Sequence, residues 1–178
     1  MLPQTYAYFR QELAYRFWLS GAVKSGNFTL RSGEKSNLYI DCKQVAMHGP
    51  TLGIICKLIT GLIGEFGSGI DSIGGMEFGA VPLISAFLIH NSLDIQHGFI
   101  IRKETKSRII GTPTNKCILI EDVITTGSTI INCIEALGGI QPIGIVCIVN
   151  RSNKKHIEGY PVKSIFNLKD IYYAKPGK

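Results

Sequence analysis

The sequence predicts an α/β fold in which a central, mainly parallel sheet is flanked by helices. Two observations predict it. Short, continuously apolar segments alternate along the chain with amphipathic segments, and an apolar segment such as 142–150 has no polar residue at every second position. Strands with this composition are buried on both faces, as in a parallel sheet covered by helices. The hydrophobic fraction of 45% against 18% charged residues indicates a folded globule rather than a disordered chain.

The first element is a helix at residues 4–19, where the large apolar residues recur with helical spacing. They fall along one predicted stripe: Tyr8, Leu13, Phe17 and Trp18.

Residues 26–42 alternate short apolar pairs with turn residues, which predicts two short strands in an accessory segment. A second helix is predicted over 50–66, because Pro50 is typical of a helix start and Gly67 of a position just beyond a helix end.

The rest of the chain alternates predicted strands with predicted helices. The strands are 71–75, 96–103, 116–122, 142–150 and 161–166. The helices are 79–91 and 128–139, and the second ends at a glycine pair that favours a helix stop. We therefore predict one domain over 1–178, with the first helix and accessory segment in 1–45, an α/β core in 46–170 and a tail in 171–178.

The length of apolar runs, the spacing of the cysteines and the net charge limit the classes to which this protein can belong. No apolar run reaches the ~18–20 residues of a membrane span, and the N-terminus carries charges where a signal peptide is apolar, so we expect no membrane partner. The five cysteines are too widely spaced for a C-x-x-C motif, which predicts reduced, buried thiols and a cytoplasmic location. The net charge of +6 predicts an anionic partner, either nucleic acid or a small polyanion such as a phosphorylated metabolite.

The segment 118–129, "ILIEDVITTGST", is the clearest candidate for a functional site. A buried strand ends in Glu121 and Asp122, and a loop rich in hydroxyl groups then leads into a helix. The start of a helix offers unpaired N–H groups and a partial positive charge, which favour phosphate. Buried carboxylates need hydrogen-bond partners, and a sugar diol beside a bound 5′-phosphate supplies them. The alternative is structural, with Asp122 capping the helix and Glu121 in solvent.

This segment resembles the phosphoribosyl-pyrophosphate (PRPP) signature of type I phosphoribosyltransferases, in which two acidic residues follow an apolar strand and precede a T-T-G-S/T loop. Enzymes acting on several bases share the signature. Three other stretches resemble motifs of the orotate phosphoribosyltransferase family: "GNFTLRSGEKSNLYID" its N-terminal hood, "IIRKETKSR" its mobile basic loop, and "VNRSNK" the segment where an arginine follows a buried strand. The resemblance covers roughly residues 16–170 and implies a type I phosphoribosyltransferase-like fold with a small hood and a mobile loop.

The resemblance also implies an activity. Orotate and PRPP would give orotidine 5′-monophosphate and pyrophosphate in pyrimidine synthesis, with Mg²⁺ bound through PRPP and no direct protein ligand to the metal. The catalytic residues would be Lys106, Glu121 and Asp122. The family's mobile loop reaches into the neighbouring subunit's site, which implies a homodimer with Arg102 and Lys106 acting in trans.

The remaining implied contacts fall into two sets. The residues implied for PRPP are Arg31, Arg102, Lys103, Lys106, Arg108, Glu121, Asp122, Val123, Ile124, Thr125, Thr126, Gly127, Ser128 and Thr129. Those implied for orotate are Tyr39, Ile40, Thr125 and Arg151. The stretch "GGMEFGAVP" at 74–82 resembles the family's pyrophosphate loop, although a glycine-rich turn made only for packing is an alternative.

Composition alone does not decide the role of the basic loop. Residues 102–115 have no apolar period, so they fit an ordinary solvated loop as well as a mobile hairpin. The chain departs from well-known bacterial members at four places. Arg108 stands where they have histidine, and Glu77–Phe78 where they have lysine. The basic loop continues as "IIGTP" where a glycine-rich or acidic stretch is expected, and Asn150 stands where aspartate is common. Two other functions therefore stay open: a phosphoribosyltransferase for another base, and a non-catalytic PRPP- or RNA-binding regulator. Lys106 argues against the regulator, and no pattern of interleaved aromatic and basic residues suggests nucleic acid.

Overall fold

A computed structural model describes residues 2–29, 35–90, 92–103 and 108–174. The helices are α1 (Pro3–Leu19), α2 (Cys42–Ala46), α3 (Gly49–Gly64), α4 (Ala80–His90), α5 (Ser128–Ala136) and α6 (Leu168–Tyr173). The strands are β1 (Val23–Thr29), β2 (Lys35–Ile40), β3 (Ser72–Met76), β4 (His97–Ile101), β5 (Ile109–Gly111), β6 (Cys117–Ile124), β7 (Gly144–Asn150), β8 (His156–Ile157) and β9 (Tyr160–Asn167).

The described residues form a seven-stranded sheet in the order β5-β4-β3-β6-β7-β9-β8. Strands β3, β4, β6, β7 and β9 are parallel, and the short edge strands β5 and β8 are antiparallel to their neighbours. The predicted α/β fold with a mainly parallel sheet is confirmed. The carboxyl ends of the parallel strands meet at one edge, which is where such folds build their sites.

Both faces of the sheet are covered, because successive strand residues point to opposite sides. In β6, Ile118 and Ile120 pack into a core with α3 and α4, whereas Cys117 and Leu119 pack into a second core with α5. All four of these side chains are fully buried. The continuous apolar runs in the sequence therefore reflect two cores on one sheet.

Strands β1 and β2 form a separate antiparallel hairpin, which we call the hood. The rings of Phe28 and Tyr39 pack against each other across it, with centroids 5.7 Å apart. The chain enters α2 directly from β2, and α2 packs against β6. The accessory segment predicted from residues 26–42 is thus connected to the carboxyl end of the acidic strand.

Several details differ from the sequence-based predictions. In the segment 74–82 the turn begins only at Glu77, since Gly74 and Gly75 lie inside β3, within the predicted strand 71–75. On α1, Leu13 and Phe17 are buried as predicted, but Tyr8 is 64% exposed. The short elements α2, β5, β8 and α6 were not predicted, since each has too few residues to show a periodic pattern.

The five cysteines are all buried and free, as the sequence predicted. Burial raises the pKa of the Cys56 and Cys117 thiols to about 11, which keeps both protonated at neutral pH. No helix within the described ranges is long and apolar enough to span a membrane.

Gly75→Ala is expected to destabilise the fold. A methyl group at this position would overlap the carbonyl oxygen of Ile120 and lie 2.7 Å from the Cβ of Ala80. Because the carbonyl belongs to the neighbouring strand, relief requires moving backbone, and we expect the free energy of unfolding to fall by about 1–3 kcal/mol or more. Urea denaturation measures it. Gly49→Ala, whose methyl group has no heavy atom within 4 Å, is the control, and equal stability of the two variants would contradict the prediction.

Candidate active site

Two adjacent pockets open at the carboxyl ends of the parallel strands and share Lys43, Asp122 and Val123. The first, the glycine-turn pocket, has a volume of about 300 Å³, and it is lined by Lys43, Met76, Glu77, Phe78, Gly79, Lys103, Glu121, Asp122, Val123, Thr129 and Asn132. The second, the hood pocket, has a volume of about 290 Å³, and it is lined by Thr29, Tyr39, Ile40, Asp41, Cys42, Lys43, Asp122, Val123, Thr125 and Arg151.

The acidic pair lies where the pockets meet. Glu121 and Asp122 are near the end of β6, and only 6% and 7% of their surfaces are exposed. The backbone N–H of Asp122 donates to Glu121 Oε1 at 3.0 Å, and the backbone N–H of Val123 donates to Asp122 Oδ1 at 2.9 Å. Asp122 lines both pockets, whereas Glu121 lines only the glycine-turn pocket. The two carboxyl groups are therefore fixed by their own backbone.

The pKa values of the two carboxyl groups are shifted in opposite directions. Burial raises the pKa of Glu121 well above its usual range, and the hydrogen bond to Asp122 and the charge of Asp122 raise it further. Burial also opposes ionisation of Asp122, but the hydrogen bonds from Glu121 and Lys43 outweigh it and lower the pKa of Asp122. The opposite directions of the two pKa shifts favour Glu121 as the place of a proton on the pair and Asp122 as the place of the negative charge.

Lys43 was not predicted as a site residue. It lies in the first turn of α2, and its ammonium donates to Asp122 Oδ2 at 2.9 Å. The contact joins residues 79 positions apart, so no local motif signals it. A lysine two residues after Asp41, which caps α2, looks like an ordinary surface residue in the sequence.

The loop between β6 and α5 forms the predicted start of a helix. Gly127 precedes α5 with φ 92° and ψ 0°, a left-handed conformation that glycine adopts without a steric penalty. Thr126 Oγ1 accepts a hydrogen bond from the backbone N–H of Ser128 at 3.3 Å, and Lys154 Nζ donates to the carbonyl of Thr126 at 3.1 Å. N–H groups of the first helical turn have no partner inside the helix, so this end of α5 is chemically suited to an anion.

A tight turn at residues 77–79 closely approaches the acidic pair. A Cβ built on Gly79 would lie 2.5 Å from Asp122 Oδ1 and 3.0 Å from Glu121 Oε1, so only glycine fits. The peptide bond between Glu77 and Phe78 is cis. Glu77 also contacts the start of the basic loop: its Oε1 accepts from the backbone N–H of Lys103 at 3.2 Å, and its Oε2 lies 3.7 Å from Arg102 Nε.

Arg151 connects the hood to the core. It follows β7, where its backbone N–H donates to the carbonyl of Ile124 at 2.8 Å. Its guanidinium donates to Ser36 Oγ at 2.9 Å and to the carbonyl of Leu38 at 3.4 Å. An arginine thus stands in the wall of the hood pocket, held by the strand that also carries Tyr39.

The structure brings many of the predicted site residues together. Those lining a pocket are Tyr39, Ile40, Lys103, Glu121, Asp122, Val123, Thr125, Thr129 and Arg151. Others stand apart from both pockets: Arg102 at the root of the basic loop, Arg108 exposed on the far side of that loop, Ile124 with its side chain in the core, and Thr126, Gly127 and Ser128 at the start of α5. Arg31 and Lys106 lie outside the described residues.

Three residues of the basic loop pair with the sheet. Residues 109–111 form β5 and pair with β4, and the backbone N–H of Arg102 donates to the carbonyl of Arg108 at 3.2 Å. The prediction of a hairpin in this region therefore agrees with the described part of the structure, although its apolar arm was not recognised from the sequence.

Comparison with known proteins adds three findings. Residues 88–175 match the family model described as the phosphoribosyl transferase domain. The chain is 31% identical to an orotate phosphoribosyltransferase of Pyrococcus abyssi, over 93% of this chain and 96% of the relative. It is also 35% identical to an orotate phosphoribosyltransferase of Pyrococcus horikoshii, over 86% of this chain and 88% of the relative.

A solved structure shares the fold. It is an orotate phosphoribosyltransferase of Mycobacterium tuberculosis in complex with PRPP. It superimposes with a TM-score of 0.75 at 24% sequence identity and covers 92% of this chain and 99% of that one. The superposition thus shows that this chain has the same fold.

Proposed function

This chain belongs to the orotate phosphoribosyltransferase family, and on that premise we propose that it converts orotate and PRPP to orotidine 5′-monophosphate and pyrophosphate, a step of pyrimidine synthesis. One observation of the molecule carries the proposal: the buried pair of Glu121 and Asp122 stands where two pockets meet, beside the start of α5. A sugar with a base on one side and a leaving group on the other needs such a junction.

The acidic pair binds the ribose in this proposal. The protonated Glu121 donates to one ribose hydroxyl oxygen, and the ionised Asp122 accepts from a hydroxyl proton. As the bond to pyrophosphate stretches, the sugar acquires positive charge, and the anion of Asp122 offsets it. Positioning and electrostatics suffice for this transfer, so the chain needs no covalent nucleophile.

In this proposal the 5′-phosphate and the pyrophosphate of PRPP bind at two different places beside the acidic pair. The 5′-phosphate lies at the start of α5, among Thr125, Thr126, Gly127, Ser128 and Thr129. The pyrophosphate lies in the glycine-turn pocket, where Lys103 supplies positive charge. Arg31, Arg102, Lys106 and Arg108 complete the cationic set as proposals, with the loop from a partner subunit acting in trans in a homodimer. The free, buried cysteines agree with a cytoplasmic enzyme.

The site suits a Mg²⁺ ion that is bound mainly through the substrate. Mg²⁺ prefers oxygen ligands and is usually bound through one or two carboxylates together with the phosphates of a substrate, so phosphate oxygens would be its main ligands. Glu121 and Asp122 stand beside the place where the ribose and pyrophosphate oxygens would hold it. When bound, Mg²⁺ would neutralise charge on the pyrophosphate.

Orotate occupies the hood pocket in this proposal. Tyr39 and Ile40 provide flat and apolar contacts, and the Arg151 guanidinium meets the carboxylate, a planar anion that matches its geometry. Asp122 and Val123 line this pocket as well as the neighbouring one, so the base and the ribose share a wall.

The decisive assay is the loss of orotate absorbance when PRPP and magnesium are added to the purified protein. We expect consumption that depends on both PRPP and the protein. A parallel panel of purine and pyrimidine bases distinguishes the alternatives. If another base is consumed and orotate is not, the chain is a phosphoribosyltransferase of different specificity, and if PRPP binds without any turnover it is a regulator.

Arg151→Ala is expected to weaken orotate binding far more than PRPP binding. Losing a two-pronged charged pair costs roughly 3 kcal/mol, which corresponds to about a 100-fold rise in the orotate dissociation constant. Calorimetric titration of each ligand measures the change. Because Arg151 also holds the hood through Ser36, the control is Ser36→Ala, which removes that hydrogen bond and keeps the guanidinium. Equal weakening of both ligands by Arg151→Ala, or an equal orotate effect of Ser36→Ala, would contradict the proposed contact.

A further inference from the structure

Lys43 occupies a position that the proposed reaction does not yet explain. It is one of three residues lining both pockets, and its Nζ lies 2.9 Å from Asp122 Oδ2. Asp122 is buried and its side chain is only 9% exposed, whereas the Lys43 side chain is 56% exposed. The lysine thus reaches from the pocket opening to a buried carboxylate.

The placement of Lys43 is fixed by its helix. Cys42, Val45 and Ala46 are buried on the inner side of α2. The backbone N–H of Lys43 donates to Asp41 Oδ1 at 3.1 Å, and Gln44 Nε2 donates to the carbonyl of Ser20 at 2.7 Å. These contacts fix the backbone from which the lysine side chain extends, so its ammonium stays within reach of the same carboxylate oxygen.

Asp122 needs such a cation. Two carboxyl groups on consecutive buried residues cannot both ionise without compensation, because a buried unpaired charge is costly. Asp122 Oδ1 accepts from the Val123 backbone N–H, and Oδ2 accepts from Lys43. Among the described residues, Lys43 supplies the one ion pair of this carboxylate.

Resting on the proposed function, we infer that Lys43 is a positioning residue of the transferase reaction: it holds Asp122 as a fixed anion at the junction of the two pockets, ready to meet the ribose. Lys43 then acts through Asp122 and not through a contact of its own with pyrophosphate or base. Its effect is exerted mainly on kcat, because the charge of Asp122 matters most when the sugar becomes positive.

The test compares three variants at Lys43 with a matched control. Lys43→Met and Lys43→Gln remove the charge, and Lys43→Arg keeps it. Lys57→Met removes another exposed lysine, which packs over Phe9 and lines neither pocket. Circular dichroism and thermal unfolding establish that each variant is folded. We expect kcat to fall roughly 10- to 100-fold for both neutral variants, to be largely retained by Lys43→Arg, and to be unchanged by Lys57→Met.

A pH profile gives a readout that lost packing would not change. The titratable groups that interact with Asp122 are Glu121 of β6, Cys42 and Lys43 of α2, and Cys147 of β7, and the other charged residues that line its two pockets are Asp41, Glu77, Lys103 and Arg151. Among the described residues, Lys43 is the cation paired directly with Asp122, so without it Asp122 takes up a proton more readily. The acid limb of kcat should therefore move to higher pH in Lys43→Met and stay in place in Lys57→Met.

A double-mutant cycle decides whether Lys43 acts through Asp122. We expect Lys43→Met to have little further effect in the D122N background. An equal fold-loss in both backgrounds would overturn the inference, since it would mean an independent contact with substrate. Wild-type kcat in Lys43→Met, an unmoved acid limb, or failure of Lys43→Arg to restore activity would overturn it too.

The two proposals fail differently. If the wild-type protein consumes no orotate, the proposed function fails. Because Asp122 also accepts from a ribose hydroxyl before the reaction begins, calorimetric binding of PRPP alone then carries the same cycle, and Lys43→Met must weaken PRPP binding in the parent and not in the D122N background. If the wild-type protein also binds no PRPP, the Lys43 inference is overturned together with the proposed function.

Discussion

Asp122→Asn is expected to lower kcat by roughly 100- to 1,000-fold, the range seen when one preorganised electrostatic contact to a transition state is removed. Asparagine keeps the shape of the side chain and removes its charge. The Lys43 ammonium would then lose its anionic partner, and the ribose its stabilising charge. Steady-state rates at saturating orotate and PRPP measure the change, with circular dichroism to establish that the fold is retained.

Glu121→Gln is the matched control for this prediction. Burial and the charge of Asp122 raise the pKa of Glu121, which favours its uncharged form, and glutamine replaces that form with a neutral group that also donates a hydrogen bond. We expect kcat to fall by less than about tenfold. If Glu121→Gln lost as much activity as Asp122→Asn, the assignment of the proton to Glu121 would be contradicted. If Asp122→Asn were fully active, the charge of Asp122 would have no role in the mechanism.

Gly79→Ala is expected to lower kcat/KM by about 100-fold, because a displacement of catalytic groups by about 1 Å costs this much. The new methyl group would lie 2.5 Å from Asp122 Oδ1 and 2.7 Å from its Cγ, with Glu121 Oε1 at 3.0 Å. Asp122 Oδ1 also holds the Val123 backbone N–H, so the carboxylate cannot move without breaking that hydrogen bond. Steady-state kinetics with both substrates measures the loss.

Gly53→Ala controls for the added methyl group itself. Gly53 lies within α3, and its methyl group would have no heavy atom within 4 Å. Alanine in a helix interior is favoured over glycine by roughly 0.5–1 kcal/mol, so the variant should be fully active and at least as stable as the parent. If Gly79→Ala were as active as Gly53→Ala, the close approach of the turn to the acidic pair would have no functional meaning.

Local patterns made the acidic strand predictable. Strand β6 is continuously apolar because both of its faces are buried, and its two carboxylates interrupt that run directly before a loop of small hydroxyl residues. Each of these signals lies within twelve consecutive residues. The predicted helices and core strands were recovered for the same reason, since periodicity is a local property of the chain.

The contacts made by Lys43 and Gly79 were not predictable, because they depend on how distant segments meet. Lys43 reaches Asp122 from α2, and Gly79 reaches it from the turn after β3, so neither residue shares a motif with the acidic pair. Strand β5 was missed because Ile109–Gly111 is too short for an alternating pattern. The resemblance of "VNRSNK" to a family motif implied a role for Arg151, but its hydrogen bonds to Ser36 and Leu38 of the hood could be found only from the fold.

The most direct measurement of the central claim is a crystal structure of the protein with PRPP and Mg²⁺. The ribose hydroxyls are expected within about 2.6–3.2 Å of the Glu121 and Asp122 carboxyl oxygens, with the 5′-phosphate against the first turn of α5. A sugar bound elsewhere, with the acidic pair contacting only Lys43 and its own backbone, would contradict the account.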